Sequence, residues 1–399
     1  MTSSAPRHAV LDEHRACEAG GGRVLTVDIA AAKAIAAAVP IRETERISLL
    51  EADGRVLARD IRSPIDLPPF DNSAMDGYAI RLRDLEGDGP WALPVLGRVA
   101  AGDAVPGAGQ LDGAMRIFTG AAVPQGFDAV VMQERCERVS ERIVVHERPR
   151  EGEHIRRAGE DVVAGTCVLA AVAALFPPRP AMLFRQGAAP VEGVPEGGVG
   201  LLSTGSELRE PGEPLGPGQI YNSNRVMIRA MLGACPWAEV IDYGIVPDRR
   251  EALCDTFGQA ASQCDVLVST GGVSAGDEDH VVWALGRQGG SLDVLKVAMR
   301  PGKPVKIGMI GPMLFAGLPG NPNAVAFRQI ALPAIRTMAG IGIASPEWSP
   351  SVAGFRYEKG MGRTEFVPVR ISGRDDIGRP VLEMLGRGSS ASLMALALA

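Results

Sequence analysis

The stretch "DVLVSTGGVSAGDEDH", Asp265 to His280, decides the fold. An apolar run with strand character ends in hydroxyls and two glycines, then in acids and an imidazole. Such an exit resembles the rim of an α/β sheet, where free backbone amides and carboxylates meet a charged ligand or its metal. Ser269, Gly271, Gly272 and Ser274 are the candidates for holding a phosphate, with Mg²⁺ beside it.

The neighbouring sequence repeats the pattern. From Gly198, "VGLLSTG" reads as a strand, "NSNRVMIRAMLGA" as a capped helix closing at Gly233, "EVIDYGIVPD" as a strand and "RREALCDTFGQAAS" as a helix. This alternation predicts a parallel sheet with helices on both faces, and ligands bind such sheets at the carboxyl ends of the strands. Glu207, Asp248 and Asp279 stand at three of those exits. "GLPGNPNAV" (Gly317 to Val325) is another strand-to-helix turn, and its Pro319, Gly320 and Asn321 suit an anion as readily as they suit an ordinary turn. "KVAMRPGKPVK" gathers Lys296, Arg300, Lys303 and Lys306 around Pro301, Gly302 and Pro304, so the cations are expected to fan out from an extended turn.

Upstream, "TVDIAAAKAIAAAV" predicts a helix capped by Thr26 or Asp28 and stopped by Pro40. "ISLLEADGRVLARDI" suggests a second helix and a short strand, and "GEDVVAGTCVLAAVAALF" an alternation followed by a helix. Between them, residues 91–148 carry strand patterns, including a hairpin about the "SER" turn at Ser140. After the linker "IASPEWSPS", the runs "TEFVPVRI" and "RPVLEML" flank the turn "SGRDDIG". The expected fold class is α/β plus β. It comprises a leader (1–23), a discontinuous linker or dimerisation domain (24–64 and 155–192) and an inserted β domain (65–154). A parallel-sheet α/β domain (193–342) and a C-terminal β-barrel or sandwich (343–399) follow.

Composition bounds the function. A formal net charge of -6 leaves no basic excess for general nucleic-acid binding. The longest apolar stretch, "CVLAAVAALF", is far short of the ~20 residues that span a bilayer. Six cysteines without a Cys-x-x-Cys pair read as reduced thiols, and the charged start reads as a disordered leader, so a cytoplasmic protein is expected. Five histidines in unrelated contexts and no Gly-x-Ser-x-Gly elbow disfavour zinc chemistry and covalent catalysis. Taken singly, "FDNSAMDGYAI" around Asp76, "RIFTGAAVP" around Thr119 and "HIRRAGEDV" with Arg156 and Asp161 are ordinary turns or surface ion pairs.

Together, and in order, "PFDNSAMDGYA", "RIFTGAAVPQGFDAVVMQE", "IRRAGED", "STGSEL", "NSNRVM", "STGGVSAGDED", "RPGKP" and "GLPGNP" resemble the molybdopterin molybdenumtransferases, the E domain of gephyrin included. The resemblance runs from about Val24 through nearly the whole chain. It implies an elongated homodimer in which the α/β domain of one subunit faces the β insertion of the other. The implied reaction inserts molybdate into adenylylated molybdopterin with Mg²⁺-dependent loss of AMP. A molybdopterin adenylyltransferase is the implied upstream partner, and neither nucleic acid nor membrane is implied. Residue by residue it carries over Asp76, Thr119, Asp161, Glu207, Lys296 and Arg300 as catalytic, and Arg156 and Lys303 with the glycine-rich turns as binding. It carries over Asp248 and Asp279 as metal ligands; molybdate, a tetrahedral dianion, should sit against cations and hydroxyls, and Arg363 and Ser392 in the last domain are assigned to it on that ground. Arg300 stands where the family often has lysine, and the tail "GRGSSASLMALALA" lacks the usual Gly-Ser-Gly. The α/β region also resembles the adenylyltransferase, which would use ATP, and gephyrin's matching domain suggests a scaffold. The β domains favour the first reading.

Overall fold

The computed structural model describes residues 24–104, 112–188, 190–272, 280–302, 304–321, 324–342 and 349–386. The leader, Ser274, Asp279, Lys303 and Ser392 therefore lie outside the described residues. The first helix, α1 (Val27–Ala37), is capped by Thr26, whose hydroxyl accepts the Ile29 amide at 3.3 Å. Its buried stripe of Val27, Ala30 and Ala34 has helical spacing and joins the core of the α/β body, beside Ile335 and Met338. Leu25 is bridged to Val297. This helix, which the sequence boundary assigned to the linker domain, packs against the α/β body. A helix of alanines shows where its apolar stripe lies, but not which domain covers it.

Next comes a ribbon. Its outgoing strands are β1 (Glu45–Ile47), β2 (Val56–Leu57), β3 (Ile61–Arg62) and β4 (Asn72–Ser73). No helix forms over Ile47–Leu57, because Gly54 turns the chain at φ 73° and both flanks pair with a returning strand. The insertion follows: β5 (Gly77–Ile80), β6 (Trp91–Val99), β7 (Ala114–Ile117), β8 (Ala129–Met132), β9 (Cys136–Val139) and β10 (Arg142–Val145). They form one sheet in the order β8-β5-β7-β6-β10-β9, and β9 and β10 make the expected hairpin about Ser140 and Glu141. A Cβ at Gly77 would lie 2.0 Å from the Val131 carbonyl oxygen, so the entry to β5 requires glycine.

The return half of the ribbon contains β11 (Ile155–Arg156), β12 (Cys167–Leu169), α2 (Arg179–Arg185) and β13 (Val191–Val194). β11 pairs with β4 and β12 with β3, while β13 lies between β1 and β2, each pair antiparallel. The helix expected over "VLAAVAALF" is absent. The Val172 and Leu175 amides donate to the Leu57 and Arg55 carbonyls instead, and helix begins only beyond Pro177 and Pro178. Alanine propensity, a few tenths of a kcal/mol per residue, yields to this pairing.

The α/β body contains β14 (Gly197–Thr204), a short parallel pair β15 (Leu208–Arg209) and β16 (Ile220–Tyr221), α3 (Ser223–Gly233), β17 (Ala238–Val246), α4 (Arg250–Gln263) and β18 (Val266–Thr270). It continues with α5 (His280–Arg287), β19 (Ser291–Lys296), β20 (Met299–Arg300), β21 (Pro304–Ile310), β22 (Met313–Leu318), α6 (Ala324–Ala326) and α7 (Leu332–Met338). The last two are joined by a π-helical turn over Phe327–Ala331. The sheet order is β17-β14-β18-β22-β21-β19. Its first four strands are parallel, as expected, whereas β21 runs antiparallel to both neighbours and makes the sheet mixed. α1, α3 and α7 cover one face, and α4 and α5 the other.

The C-terminal segment gives β23 (Val352–Ala353), β24 (Thr364–Glu365), β25 (Val369–Arg374) and β26 (Pro380–Met384). β25 and β26 form the expected hairpin with β23 alongside, and β24 pairs with β20. The tail from residue 387 lies outside the described residues. Among the described residues no helix is long and apolar enough to cross a membrane.

Phe315 of β22 is fully buried and meets Phe257 of α4 at 5.4 Å between ring centroids. Phe315→Ala should lower stability by about 3–5 kcal/mol in denaturant titration. A loss below about 1 kcal/mol would show that α4 does not pack on the sheet as described.

Candidate functional site

β19 is antiparallel to β21, which is antiparallel to β22, so the carboxyl ends of β17, β14, β18, β22 and β19 share one rim. Short polar contacts tie that rim together. The buried hydroxyls of Ser203 and Thr270 bond to each other, and Ser203 also donates to the Asn222 side-chain oxygen at 3.3 Å. That oxygen caps α3 by accepting the Arg225 amide at 3.4 Å. Asn224 donates to the Gly320 carbonyl at 2.7 Å, and the Gly271 amide donates to the Leu318 carbonyl at 3.1 Å. The segments "STGSEL", "NSNRVM", "STGG" and "GLPGN" therefore form one edge.

Gly271 and Gly272 turn there at φ 87° and 63°, and a Cβ at Gly271 would stand 2.2 Å from the Thr204 carbonyl oxygen. Thr204 Oγ1, Ser269 Oγ and Asn222 Nδ2 are buried with no hydrogen-bond partner among the described residues. Of these contacts the sequence singled out Ser269, Gly271, Gly272, Gly320 and Asn321. It missed Ser203, Thr270, Asn222 and Asn224, although their motifs were visible. Hydroxyl and amide residues at strand exits were the available signal.

Charge is distributed along the rim. Glu207, just past β14, is exposed, and its carboxylate occupies the space a Cβ at Gly205 would need, 2.6 Å away. Asp248, two residues past β17, is half-buried. Lys296 ends β19 at the opposite edge, with Arg300 beyond it. Five strand-to-strand steps of ~4.8 Å separate β17 from β19, so the rim is about 24 Å long. Asp248 and Lys296 accordingly stand at the two ends of the rim rather than around one ion, where the sequence reading puts them.

Among the described residues no three His, Cys, Asp or Glu side chains come together to hold a metal. Mg²⁺ commonly takes one or two carboxylates and completes its shell with phosphate oxygens and water, a demand that Asp248 fits with its half-buried carboxylate. Two further predicted cations have distinct fates. Exposed Arg363 precedes β24, and the Thr364 and Phe366 amides donate to the Ala298 and Arg300 carbonyls at 2.7 and 2.9 Å, which brings it to the cationic end. Lys306 does not fan out from a turn. It lies within β21, 1% exposed, and burial pushes its ammonium down to about 8.

A second cluster stands in the insertion. One Asp76 carboxylate oxygen accepts both the amide and the hydroxyl of Thr119 at 2.8 Å. Those two bonds, the amide foremost, hold its carboxyl below the usual carboxylate range, and Arg116 assists. Arg116 lies 5.0 Å from the Tyr78 ring centre and 4.9 Å from that of Phe118, and it donates to the Gly77 carbonyl at 3.1 Å. The sequence reading did not single it out. In "IRRAGED", Arg157 is the residue engaged: it donates to Asp71 at 2.6 Å, while the Ala158 amide donates to the same carboxylate at 2.8 Å. Burial alone would raise the Asp71 pKa, but these two partners hold it low. Arg156 is exposed on β11, and Asp161 pairs with Arg185 at 3.6 Å on the surface. The bonds of the Asp76 group run within the insertion, and those of the rim within the α/β body.

Comparison with known proteins matches residues 25–187 to the MoeA N-terminal region (domain I and II) and residues 200–337 to a probable molybdopterin binding domain. A molybdopterin molybdenumtransferase of Haemophilus influenzae is 39% identical over 351 residues, covering 86% of this chain and 85% of the relative. One of Nostoc is 37% identical over 317 residues, 77% of this chain and 72% of the relative. The crystal structure of the molybdopterin biosynthesis MoeA protein from Pyrococcus horikoshii superposes with a TM-score of 0.78 at 28% identity, covering 94% of both chains.

Thr119→Ala removes the hydroxyl that Asp76 accepts and leaves the amide. Followed by NMR titration, the Asp76 carboxyl should rise part of the way back to the ordinary range, and an unmoved value would contradict the geometry.

Proposed function

The chain belongs to the molybdopterin molybdenumtransferase family, an enzyme of molybdenum cofactor biosynthesis that inserts molybdenum, and we propose that the rim of one copy works with the Asp76 cluster of a second. The substrate in this reading is adenylylated molybdopterin, which exchanges its nucleotide for molybdate and releases AMP. The observation that carries it is the tied rim itself. Acids at one end, glycine turns in the middle and cations at the other suit a long ligand with a phosphoanhydride and a separate oxyanion.

The roles follow from position. The Gly271–Gly272 turn and the Pro319–Asn321 turn present backbone to phosphate, helped by the buried hydroxyls of Ser269 and Thr204. Mg²⁺, held by Asp248 with Asp279, would neutralise charge developing on the anhydride. Glu207 stands between the metal end and the glycine turns. Lys296, Arg300 and Lys303 serve the anionic end, where molybdate, a tetrahedral dianion, also meets Arg363 and Ser392. From the second copy come Asp76, fixed in its ionised form by Thr119, and the arginines of the ribbon, with Arg156 as a binding residue and Asp161 as a catalytic one.

The dimer is supported by Val163, Val172, Phe176 and Phe184, all exposed apolar side chains within the return half of the ribbon. The reading also includes a C-terminal barrel, to which the described strands β23, β25 and β26 belong. A cytoplasmic setting is consistent with the free thiols of the described cysteines. The adenylyltransferase reading is not favoured, because ribbon and insertion add a family-matched region to the α/β body.

Asp76→Ala and Asp248→Ala should each slow AMP release from the adenylylated substrate by roughly 10²-fold or more. When the two inactive variants exchange subunits at random, about a quarter of the sites regain both residues, and activity should return to that level. Failure to recover would place both clusters' work within one chain. Phe184→Glu should give a monomer in sedimentation, and that monomer should lack activity; an unchanged dimer would remove this face from the interface.

A further inference from the structure

We propose that Lys306 is a positioning residue: from beneath the sheet it fixes the Gly271–Gly272 turn against which the anionic ligand lies. The inference deepens the function proposed above and rests on that reading only for the identity of the ligand.

Strand register supplies the first observation. Lys306 of β21 is paired with Gly317 of β22, and Gly317 with Ser269 of β18, so the three stand in one row on one face. That face is the one under α4 and α5, since the next residue of the row, Leu202, packs with Leu253, Phe257 and Val281. Gly317 has no side chain, so a lane across β22 is open. An extended lysine stem lying along it, together with the hydrogen bond at its tip, covers roughly the two strand spacings, ~10 Å in all, that separate β21 from β18. At the end of that lane the Lys306 ammonium donates to the Gly272 carbonyl at 3.3 Å.

The second observation is burial. Lys306 is 1% exposed, in a strand whose other residues are apolar or glycine apart from its first proline. A buried ammonium is costly to maintain, and its pKa is depressed for that reason. Packing alone would be served as well by methionine. The third observation concerns the turn. Gly272 is wedged between Val281 and Thr204, with a Cβ position 2.7 and 2.8 Å from their methyl carbons, so its carbonyl direction is set within a narrow range. A cation held on that carbonyl selects the peptide orientation in which the oxygen points inward, beneath the rim. The ligand side is left to backbone N–H groups of the turn, while Ser269, on the same face as Lys306, lies beneath with its hydroxyl buried and without a partner among the described residues. A turn that binds ground and transition states alike affects KM rather than kcat.

The test uses full-length protein and three variants. Lys306→Met keeps the volume and removes the charge, Lys306→Gln retains an N–H donor, and Lys296→Met serves as the comparison for loss of a half-buried rim cation. Hydrogen exchange is followed over residues 266–272, AMP binding by calorimetry, and thermal midpoint alongside. Lys306→Met should speed exchange in that segment by about tenfold or more and weaken AMP about tenfold, without lowering the thermal midpoint. KM for the adenylylated substrate should rise with kcat retained. Lys306→Gln should recover part of both losses, and Lys296→Met should weaken AMP without changing exchange. Unchanged exchange in Lys306→Met, or a loss of binding that merely tracks a lowered thermal midpoint in both Lys306 variants, overturns the proposal. If the unaltered protein binds no AMP, the functional reading fails, while the exchange comparison still decides the role of Lys306.

Discussion

The close approach of the β18 exit to the end of β14 is the constraint on which the site depends. The Gly271 Cβ position is filled by the Thr204 carbonyl, and the Ser203 and Thr270 hydroxyls bond directly beneath it. No other residue type fits that turn, because any side chain meets backbone, which cannot swing aside. Everything else on the rim is referred to this junction. Asn222 reads Ser203 and thereby sets the start of α3, and Asn224 on α3 then holds the Gly320 turn. Displacing one contact shifts three segments, which is why a site made of loops can be as exact as one built on strands.

The α/β half was legible in the sequence because its signals are local. Strand, exit, cap and helix follow one another within about fifteen residues, and register between parallel neighbours follows from the order of the crossovers. The ribbon was not legible for the opposite reason. Leu57 and Leu175 face partners more than a hundred residues away in the chain, so "VLAAVAALF" shows its alanines and hides its pairing. The Asp76–Thr119 bond joins residues 43 apart, and only the resemblance, not the spacing, pointed to it.

Lys306 was misassigned by a subtler route. Four cations among prolines resemble a solvated turn, and of the described ones Lys296 and Arg300 do stand at the rim. The discriminating feature is strand alternation resuming at Pro304, which makes the fourth cation an internal residue of β21 rather than a member of the turn. The antiparallel course of β21 was hidden likewise, since a two-residue return between β21 and β22 permits only a hairpin, and "GP" at 311–312 was its modest sign.

The insertion is carried on two strands that leave and return side by side, from Ile61–Arg62 against Cys167–Leu169 out to Asn72–Ser73 against Ile155–Arg156. A doubled tether of this kind behaves as a gauge rather than a leash. Losing one residue from a single side would slip the pairing and present the opposite edge of every later residue, rotating the cargo as well as shortening its reach. Length along this arm is therefore inherited in matched pairs, and the reach of Asp76 is written into both sides of the gene at once.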